Sequence, residues 1–207
     1  MAKDITTALK IIKSFYDEEE YGEDVHFSGD KQQLQSLQQQ KNIEFPKEFQ
    51  EYISEFLPSK STYSTTIGNP IEFYTKKHLL WLMDGYNYNT VENKPLEDWD
   101  ENWFIFANEG GDPYIIKLDE KEEFSKVYKA YHGEGYWEFF PMADSIGDFL
   151  LSAFALSHAC IGFEGDSISD DENGFNLVEP NATWFFSFLK EHTPKYYEEW
   201  TEGFENA

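Results

Sequence analysis

Arginine is absent from this chain: all 16 basic residues are lysines, set against 40 acidic residues. Arginine supplies the planar, multiply donating group that commonly grips phosphates and guanine edges. Its absence, with a formal net charge of -24, argues against nucleic-acid binding. The same charge would repel an anionic membrane surface and attract a basic protein. Composition therefore predicts no nucleic-acid and no membrane partner, although surplus carboxylates also serve solubility alone.

Cysteine and long apolar runs are scarce as well. A single cysteine, Cys160, excludes an internal disulfide. The longest weakly charged stretch, Ser145 to Phe163, contains Asp148 and His158, so it predicts a core helix instead of a membrane span. Acids and lysines interrupt the apolar residues at the start of the chain, unlike a secretion signal. We expect a cytoplasmic protein.

The sequence also lacks the usual signatures of a reactive site. Its five histidines show no metal-ligand spacing, and the acidic segment near Asp170 fails the calcium-loop pattern at both ends. There is no phosphate-binding loop and no Gly-x-Ser-x-Gly elbow. With 40 acids, a carboxylate pair can be drawn almost anywhere and carries no information. We expect no catalytic residue, no metal and no cofactor.

What the chain does have is apolar and aromatic surface. Hydrophobic residues make up 40% of its 207 residues and aromatic ones 18%, enough for one domain with a sizeable core. Apolar residues at helical spacing predict four helices. They are one from Ile5 to Tyr16 capped by Asp4, one over Lys31 to Lys41 with Leu34 and Leu37 inward, one opened by Pro46 with Phe49, Tyr52, Ile53 and Phe56 on one face, and one from Ser145 to Leu156.

Strand signals fill the middle of the chain. Trp103 to Ala107 and Pro113 to Asp119 predict two strands joined by a tight turn at Gly110 and Gly111. Further strands are predicted at three places, which are Ile71 to Tyr74, Val127 to Tyr131 and Tyr136 to Phe140, the last two extending an antiparallel meander.

The remaining segments are predicted to be irregular, apart from helical pieces near the end. They are an acidic loop over Asp17 to Asp24, a short buried helix or turn over His78 to Met83, a loop over Asn87 to Asp98, an acidic loop holding Glu164, Asp166, Asp170, Asp171 and Glu172, and aromatic-rich helical pieces from Thr183 to Phe204.

Two of these stretches together resemble the SUKH family, also described as SMI1/KNR4-like. One is the helix pair running from Leu34 to Phe56, in which Phe45 stands where the family usually has Leu; the other is the hairpin from Phe104 to Asp119, with Gly110, Gly111, Asp112 and Tyr114. The resemblance implies an α+β fold with a mostly antiparallel sheet packed against helices. It predicts a single domain over 1–207, with the family part at about 30–158 and an acidic loop and extra helical extension over 160–207.

The resemblance also implies a function. Bacterial members of the family are similar to immunity proteins that neutralise toxins, commonly nucleases, whereas fungal members are regulatory scaffolds. We therefore predict an immunity-type protein that binds a cognate basic toxin, with a regulatory scaffold as the alternative. An enzyme using Asp112 is a third hypothesis; we interpret that carboxylate as an acceptor of backbone N–H bonds that hold the turn.

Acids near aromatic residues suit a protein interface. Trp99 and Trp103 stand among acids, so each is predicted to be either an interface anchor or a core residue with a wet edge. The residues predicted to bind the partner are Asp98, Trp99, Asp100, Glu101, Glu109, Asp112, Asp166, Asp170, Asp171 and Glu172.

Overall fold

The computed structural model describes residues 1–16, 27–172 and 174–207. The acidic segment predicted as a loop over Asp17 to Asp24 lies outside these residues. The described chain forms an α+β structure in which a six-stranded sheet packs against helices, as predicted. No helix in this part of the chain is long and apolar enough to cross a membrane.

The first two helices begin at side-chain caps. Helix α1 (Ile5–Ile12) starts after Asp4, whose carboxylate accepts the Thr7 N–H at 2.7 Å. Helix α2 (Lys31–Lys41) starts after Asp30, whose carboxylate accepts the Gln33 N–H at 2.8 Å. Both caps satisfy N–H groups that have no partner inside the helix.

The third helix begins one residue later than predicted. Helix α3 (Lys47–Glu51) follows Pro46, which occupies the cap position instead of the first turn. A π-helical turn (Tyr52–Phe56) continues it. Helix α4 (Ile146–Ile161) is longer than predicted and begins after Ser145, whose hydroxyl accepts the Asp148 N–H at 2.9 Å.

The sheet is an antiparallel meander, as the strand signals predicted. Its strand order is β1-β2-β5-β6-β7-β8, and every neighbouring pair runs antiparallel. The six strands are β1 (Thr62–Ser64), β2 (Ile71–Phe73), β5 (Trp103–Glu109), β6 (Asp112–Lys117), β7 (Val127–Lys129) and β8 (Phe140–Ala143). A small hairpin lies in the segment predicted as a loop. Its two strands, β3 (Tyr88–Asn89) and β4 (Lys94–Pro95), have two residues each.

Glycine makes the β5–β6 turn possible. Gly110 and Gly111 have φ values of 60° and 115°, which residues with a Cβ rarely adopt. A Cβ on Gly110 would also lie 2.1 Å from the side-chain nitrogen of Asn69. The Asn108 side chain closes the turn by accepting the Gly111 N–H at 2.8 Å.

Two predictions about strands were wrong. One strand lies at a different position, and one segment predicted as a loop contains a strand. β8 begins at Phe140 instead of Tyr136, because Met142 and Ala143 fill the core whereas Tyr136 is 60% exposed. The acidic segment predicted as a loop contains β9 (Ile168–Asp171), which pairs with β10 (Gly174–Leu177). That hairpin buries little apolar surface, so no alternation of apolar residues marked it.

The helices α3 and α4 cover the same face of the sheet. Phe49 of α3 lies 5.5 Å from Phe104 and 6.0 Å from Phe106, measured between ring centroids. Phe149 of α4 lies 5.5 Å from Phe106 and 4.9 Å from Tyr114. These rings form the centre of the core, where each is almost fully buried.

A final set of helices, here called the C-terminal layer, packs against this core. It consists of α5 (Asn181–His192), a 3-10 turn (Pro194–Tyr196) and α6 (Tyr197–Thr201), which matches the predicted helical pieces. The Trp200 indole donates to the Met142 carbonyl at 3.0 Å, and its ring lies 5.8 Å from Phe149. The Asn181 amide donates to the Ala159 carbonyl at 2.8 Å.

Candidate functional site

A groove of about 390 Å³ lies where the end of α2 meets the start of β5. Its apolar lining includes three tryptophans, and polar side chains from α2 and from the loop before β5 complete it. The lining residues are Lys41, Asn42, Ile43, Trp81, Leu82, Asn87, Pro95, Leu96, Trp99, Glu101, Asn102 and Trp103. This set is called the groove below.

Hydrogen bonds hold the Trp81 wall of the groove. The Trp81 indole donates to the Leu37 carbonyl of α2 at 2.8 Å. Asn87 braces the segment from the other side, since its amide donates to the Trp81 carbonyl at 2.6 Å and its oxygen accepts the Met83 N–H at 2.7 Å. The Trp81 ring packs edge-on against Phe104 at 4.9 Å. The wall is therefore anchored to both α2 and the sheet.

The segment around Trp81 is a turn, which is one of the two predicted alternatives, but it is not buried throughout. Leu80 and Leu82 are 46% and 51% exposed. The sequence pattern could not show this, because a short apolar run reads the same whether it is buried or presented to solvent. The two leucines leave apolar surface beside the groove.

Trp99 and Trp103 form the opposite wall. The Trp99 indole donates to the Trp103 carbonyl at 3.1 Å, and the two rings meet edge-on at 5.5 Å. Trp103 precedes Phe104 in β5, and successive strand residues point to opposite faces. Trp103 thus lies on the sheet face away from α3 and α4, where it contacts Phe139 at 4.7 Å.

Both tryptophans are neither fully buried nor fully exposed. They belong to an aromatic cluster that includes Tyr86, Trp137 and Phe139. The two alternatives weighed from the sequence, anchor or core, therefore meet in the same rings. Each residue both packs in the aromatic cluster and lines the groove.

Three exposed carboxylates flank Trp99 in the chain, and one of them lines the groove. Asp98 and Asp100 are exposed, and Glu101 is an exposed residue of the groove lining itself. These three residues are called the acidic rim. Lys41 brings a positive charge to the lining, and its ammonium lies 5.9 Å from the centre of the Trp81 ring. The groove combines indole surfaces with one carboxylate, Glu101, and one ammonium, Lys41.

Glu109 and Asp112 lie at the opposite end of β5 from Trp103 of the groove. Strand β5 spans seven residues, so at about 3.3 Å per residue its two ends lie roughly 20 Å apart. Glu109 is largely buried and accepts bonds from the Tyr114 hydroxyl at 2.6 Å and the Lys129 ammonium at 2.8 Å. Burial and then the Glu109 charge raise the pKa of Tyr114 well above its usual value.

Asp112 accepts a backbone N–H, as expected, but not one from the turn. Its carboxylate oxygen accepts the His132 N–H at 2.9 Å and lies 2.6 Å from the His132 ring nitrogen Nδ1. It ties the start of β6 to the loop after β7. The turn itself is closed by Asn108, which the sequence interpretation did not single out.

The remaining acids form a separate surface. Asp166, Asp170, Asp171 and Glu172 are exposed and lie on or just before the β9–β10 hairpin. This acidic hairpin leans on the end of the chain, because the Glu205 N–H donates to the Phe175 carbonyl at 2.9 Å. The predicted partner-binding residues are thus divided among the groove, the β5–β6 turn and the hairpin.

Trp81, Leu82 and Lys41 are among the groove residues that sequence reasoning missed. The available signal was the apolar run ending at Met83, which is followed by a loop and not by a strand that would bury it. Within residues 1–16, 27–172 and 174–207, no three His, Cys, Asp or Glu side chains gather where they could hold a metal ion. What the groove offers chemically is indole surface and carboxylates, which suit recognition of a cationic protein surface.

Comparison with known proteins adds a family match. The profile of the SMI1/KNR4 family (SUKH-1) matches residues 29–152, more than half of the chain. The match confirms the resemblance drawn from the helix pair and the Gly-Gly hairpin. No curated protein sequence matches the chain.

Proposed function

Because the chain belongs to the SMI1/KNR4 family (SUKH-1), which includes immunity proteins, we propose that it is an immunity-type binding protein that neutralises a cognate basic toxin. In this proposal the protein acts in the cytoplasm by forming a tight complex and performs no chemistry of its own. The family is generally non-catalytic.

The observation that carries the proposal is the groove with its acidic rim. Half-buried tryptophans next to exposed carboxylates resemble the centre and edge of protein interfaces, where aromatic anchors supply affinity and charges guide the approach. The net charge of -24, with no arginine, suits a strongly basic partner. A nuclease-type toxin domain is such a partner, since it must itself hold a polyanion.

Among the predicted partner-binding residues, we assign direct contact to Asp98, Trp99, Asp100 and Glu101. The acidic hairpin, with Asp166, Asp170, Asp171 and Glu172, contributes to long-range attraction. Glu109 and Asp112 are already engaged by Lys129 and by His132, so their contribution is to hold the surface that surrounds them.

A regulatory scaffold remains the second candidate, because the family also contains regulatory proteins. The neighbouring gene distinguishes the two. A toxin-like reading frame beside this one favours immunity, and its absence favours regulation.

Co-expression tests the proposal directly. The product of the adjacent gene is expressed in a sensitive host with and without this protein, and growth and co-purification are measured. We expect rescue of growth and recovery of a complex. A toxic neighbour that this protein neither rescues nor binds would refute the immunity function.

A further inference from the structure

We propose that the groove is a receptor for one cationic side chain, an arginine or lysine carried on a loop of the partner protein. The side chain would lie against Trp99 and Trp103 with its charge toward Glu101. The inference depends on the proposed function for the source of that side chain, but the groove's chemistry can be tested without it.

The indole rings provide the first argument. Trp81, Trp99 and Trp103 all line one groove of about 390 Å³, which has room for a long, narrow side chain. Indole is the aromatic ring that attracts a cation most strongly when the charge lies within about 6 Å of the ring centre. Three such rings in one groove favour a cationic guest over an anionic one.

The indole N–H groups provide the second argument. The Trp81 N–H is donated to the Leu37 carbonyl and the Trp99 N–H to the Trp103 carbonyl. Neither ring therefore has a donor left for a carboxylate or phosphate ligand. On these two rings, what remains for recognition is the electron-rich π system, which an anion avoids and a cation seeks.

The chain contains an internal example of the same contact. The Lys41 ammonium lies 5.9 Å from the centre of the Trp81 ring. Glu101 of the acidic rim also lines the groove and follows Trp99 by two residues in the chain. A second cation lying against Trp99 and Trp103 would have this carboxylate as its ionic partner.

The polar lining argues against a purely apolar guest. Glu101 and the amides of Asn42 and Asn102 line the groove together with the indoles. An apolar side chain would remove these groups from water without giving them partners, which is costly. A guanidinium carries five N–H donors and an ammonium three, so either can bond to the carboxylate and to amide oxygens.

Indole NMR signals test the proposal on the intact protein. The six tryptophans each give one indole N–H signal, assigned by single Trp→Phe substitutions. The probe is N-acetyl-arginine methylamide, and the matched control is the citrulline analogue, which has nearly the same shape without the charge. We expect the Trp99 and Trp103 signals to move saturably with the arginine probe, and with an apparent affinity at least about threefold higher than for citrulline.

Two charge variants sharpen the test. Glu101→Gln removes the carboxylate in the groove, and Glu198→Gln removes an exposed carboxylate of α6, so both change net charge equally. We expect Glu101→Gln to weaken probe binding about threefold or more and Glu198→Gln to leave it unchanged. Equal shifts with both probes, equal effects of both variants, or no movement of the Trp99 and Trp103 signals would overturn the proposal.

These results are independent of the immunity function. If the arginine probe binds but co-expression does not rescue growth, the cation site is supported and the toxin partner is rejected. If co-expression rescues growth but the probe does not bind, the immunity function is supported and this mode of binding is rejected.

Discussion

At the residue scale, Glu48 joins three parts of the chain through one buried carboxylate. Its oxygens accept the backbone N–H groups of Ser125 at 2.6 Å, Ile146 at 3.2 Å and Gly147 at 3.4 Å. Burial raises the pKa of the Glu48 carboxyl to about 7, although the three N–H donors act in the opposite direction. Glu48 therefore connects α3 to the start of α4, and its burial disfavours the ionised carboxylate.

The elevated pKa predicts a pH-dependent contribution to stability. A group whose pKa is higher in the folded than in the unfolded state stabilises the fold fully below its unfolded pKa, and this contribution is lost as pH rises through the folded pKa. For Glu48 the window runs from about 4.5 to about 7. A shift of that size corresponds to about 3 kcal/mol at most.

Glu48→Gln isolates the effect, because the amide keeps an oxygen acceptor but cannot ionise. The quantity compared is the difference in the free energy of unfolding between the parent protein and Glu48→Gln. Between pH 4.5 and 7.5 we expect the parent to lose up to about 3 kcal/mol relative to the variant. Urea unfolding at several pH values measures it. A difference between the two proteins that stays constant with pH would contradict this account of Glu48.

Asp112 carries a second prediction at this scale. Since its carboxylate accepts the His132 N–H, Asp112→Ala leaves that donor without its partner and is expected to cost about 1 kcal/mol of stability. Asp112→Asn keeps an acceptor oxygen and should cost less. Thermal unfolding checks both variants, and a stable Asp112→Ala protein that has lost its biological activity would contradict the structural role and assign Asp112 to partner contact or to catalysis.

At the scale of elements, the C-terminal layer is the part whose relation to the family domain matters most. The family match ends at residue 152, inside α4. Residues beyond it supply Phe185, Leu189 and Trp200, all buried, to the same core. We propose that the C-terminal layer and the family segment form one domain.

Truncation tests that proposal. A chain ending at Gly162 would expose the α4 surface now covered by large side chains, each of which contributes about 1.5–3 kcal/mol when buried. Several such losses match the whole stability of a typical domain. We expect the truncated protein to lose cooperative unfolding as followed by circular dichroism.

Trp200→Phe is the mild counterpart of the truncation. It keeps a ring against Phe149 but removes the bond to the Met142 carbonyl, so it should cost only about 1–2 kcal/mol. A truncated chain that unfolds cooperatively, with nearly parental stability, would show that the layer is an appendage.

Much of this element structure could be predicted because local signals agree with the tertiary fold. Asp4 and Asp30 cap helices where the apolar spacing begins, and Gly110 and Gly111 mark the hairpin turn. The failures share a cause. Phe139 and Trp137 look like strand residues but pack on the aromatic cluster, and β9 forms among acids with no apolar alternation to signal it.

The candidate site was predictable in part. Trp99 and its acidic neighbours are adjacent in sequence, so this local pattern was enough to indicate them. Trp81 and Lys41 reach the groove only because α2 packs beside the start of β5, which is a tertiary contact that no spacing rule contains. The sequence also does not show which acids are close in space. The prediction therefore placed Glu109 and the acidic hairpin in one set with the groove residues, although the fold separates them.

At the scale of the whole molecule, two acidic surfaces share a very negative body. A net charge of -24 attracts a basic partner from any direction, and salt screens that attraction over about 10 Å at 0.1 M. In the proposed complex, long-range attraction depends on total charge, whereas the final docked contact depends on the acidic rim. Variants with the same change in charge but different positions therefore separate the two effects.

The most direct measurement is the binding of the purified neighbouring-gene product by two charge-matched triple variants. One removes the acidic rim (Asp98→Asn, Asp100→Asn and Glu101→Gln), and the other removes charge from the acidic hairpin (Asp170→Asn, Asp171→Asn and Glu172→Gln). We expect both to slow association modestly at low salt, and only the rim variant to speed dissociation, by about tenfold or more. Equal dissociation rates for the two variants, or an association rate that does not change with salt, would contradict the account.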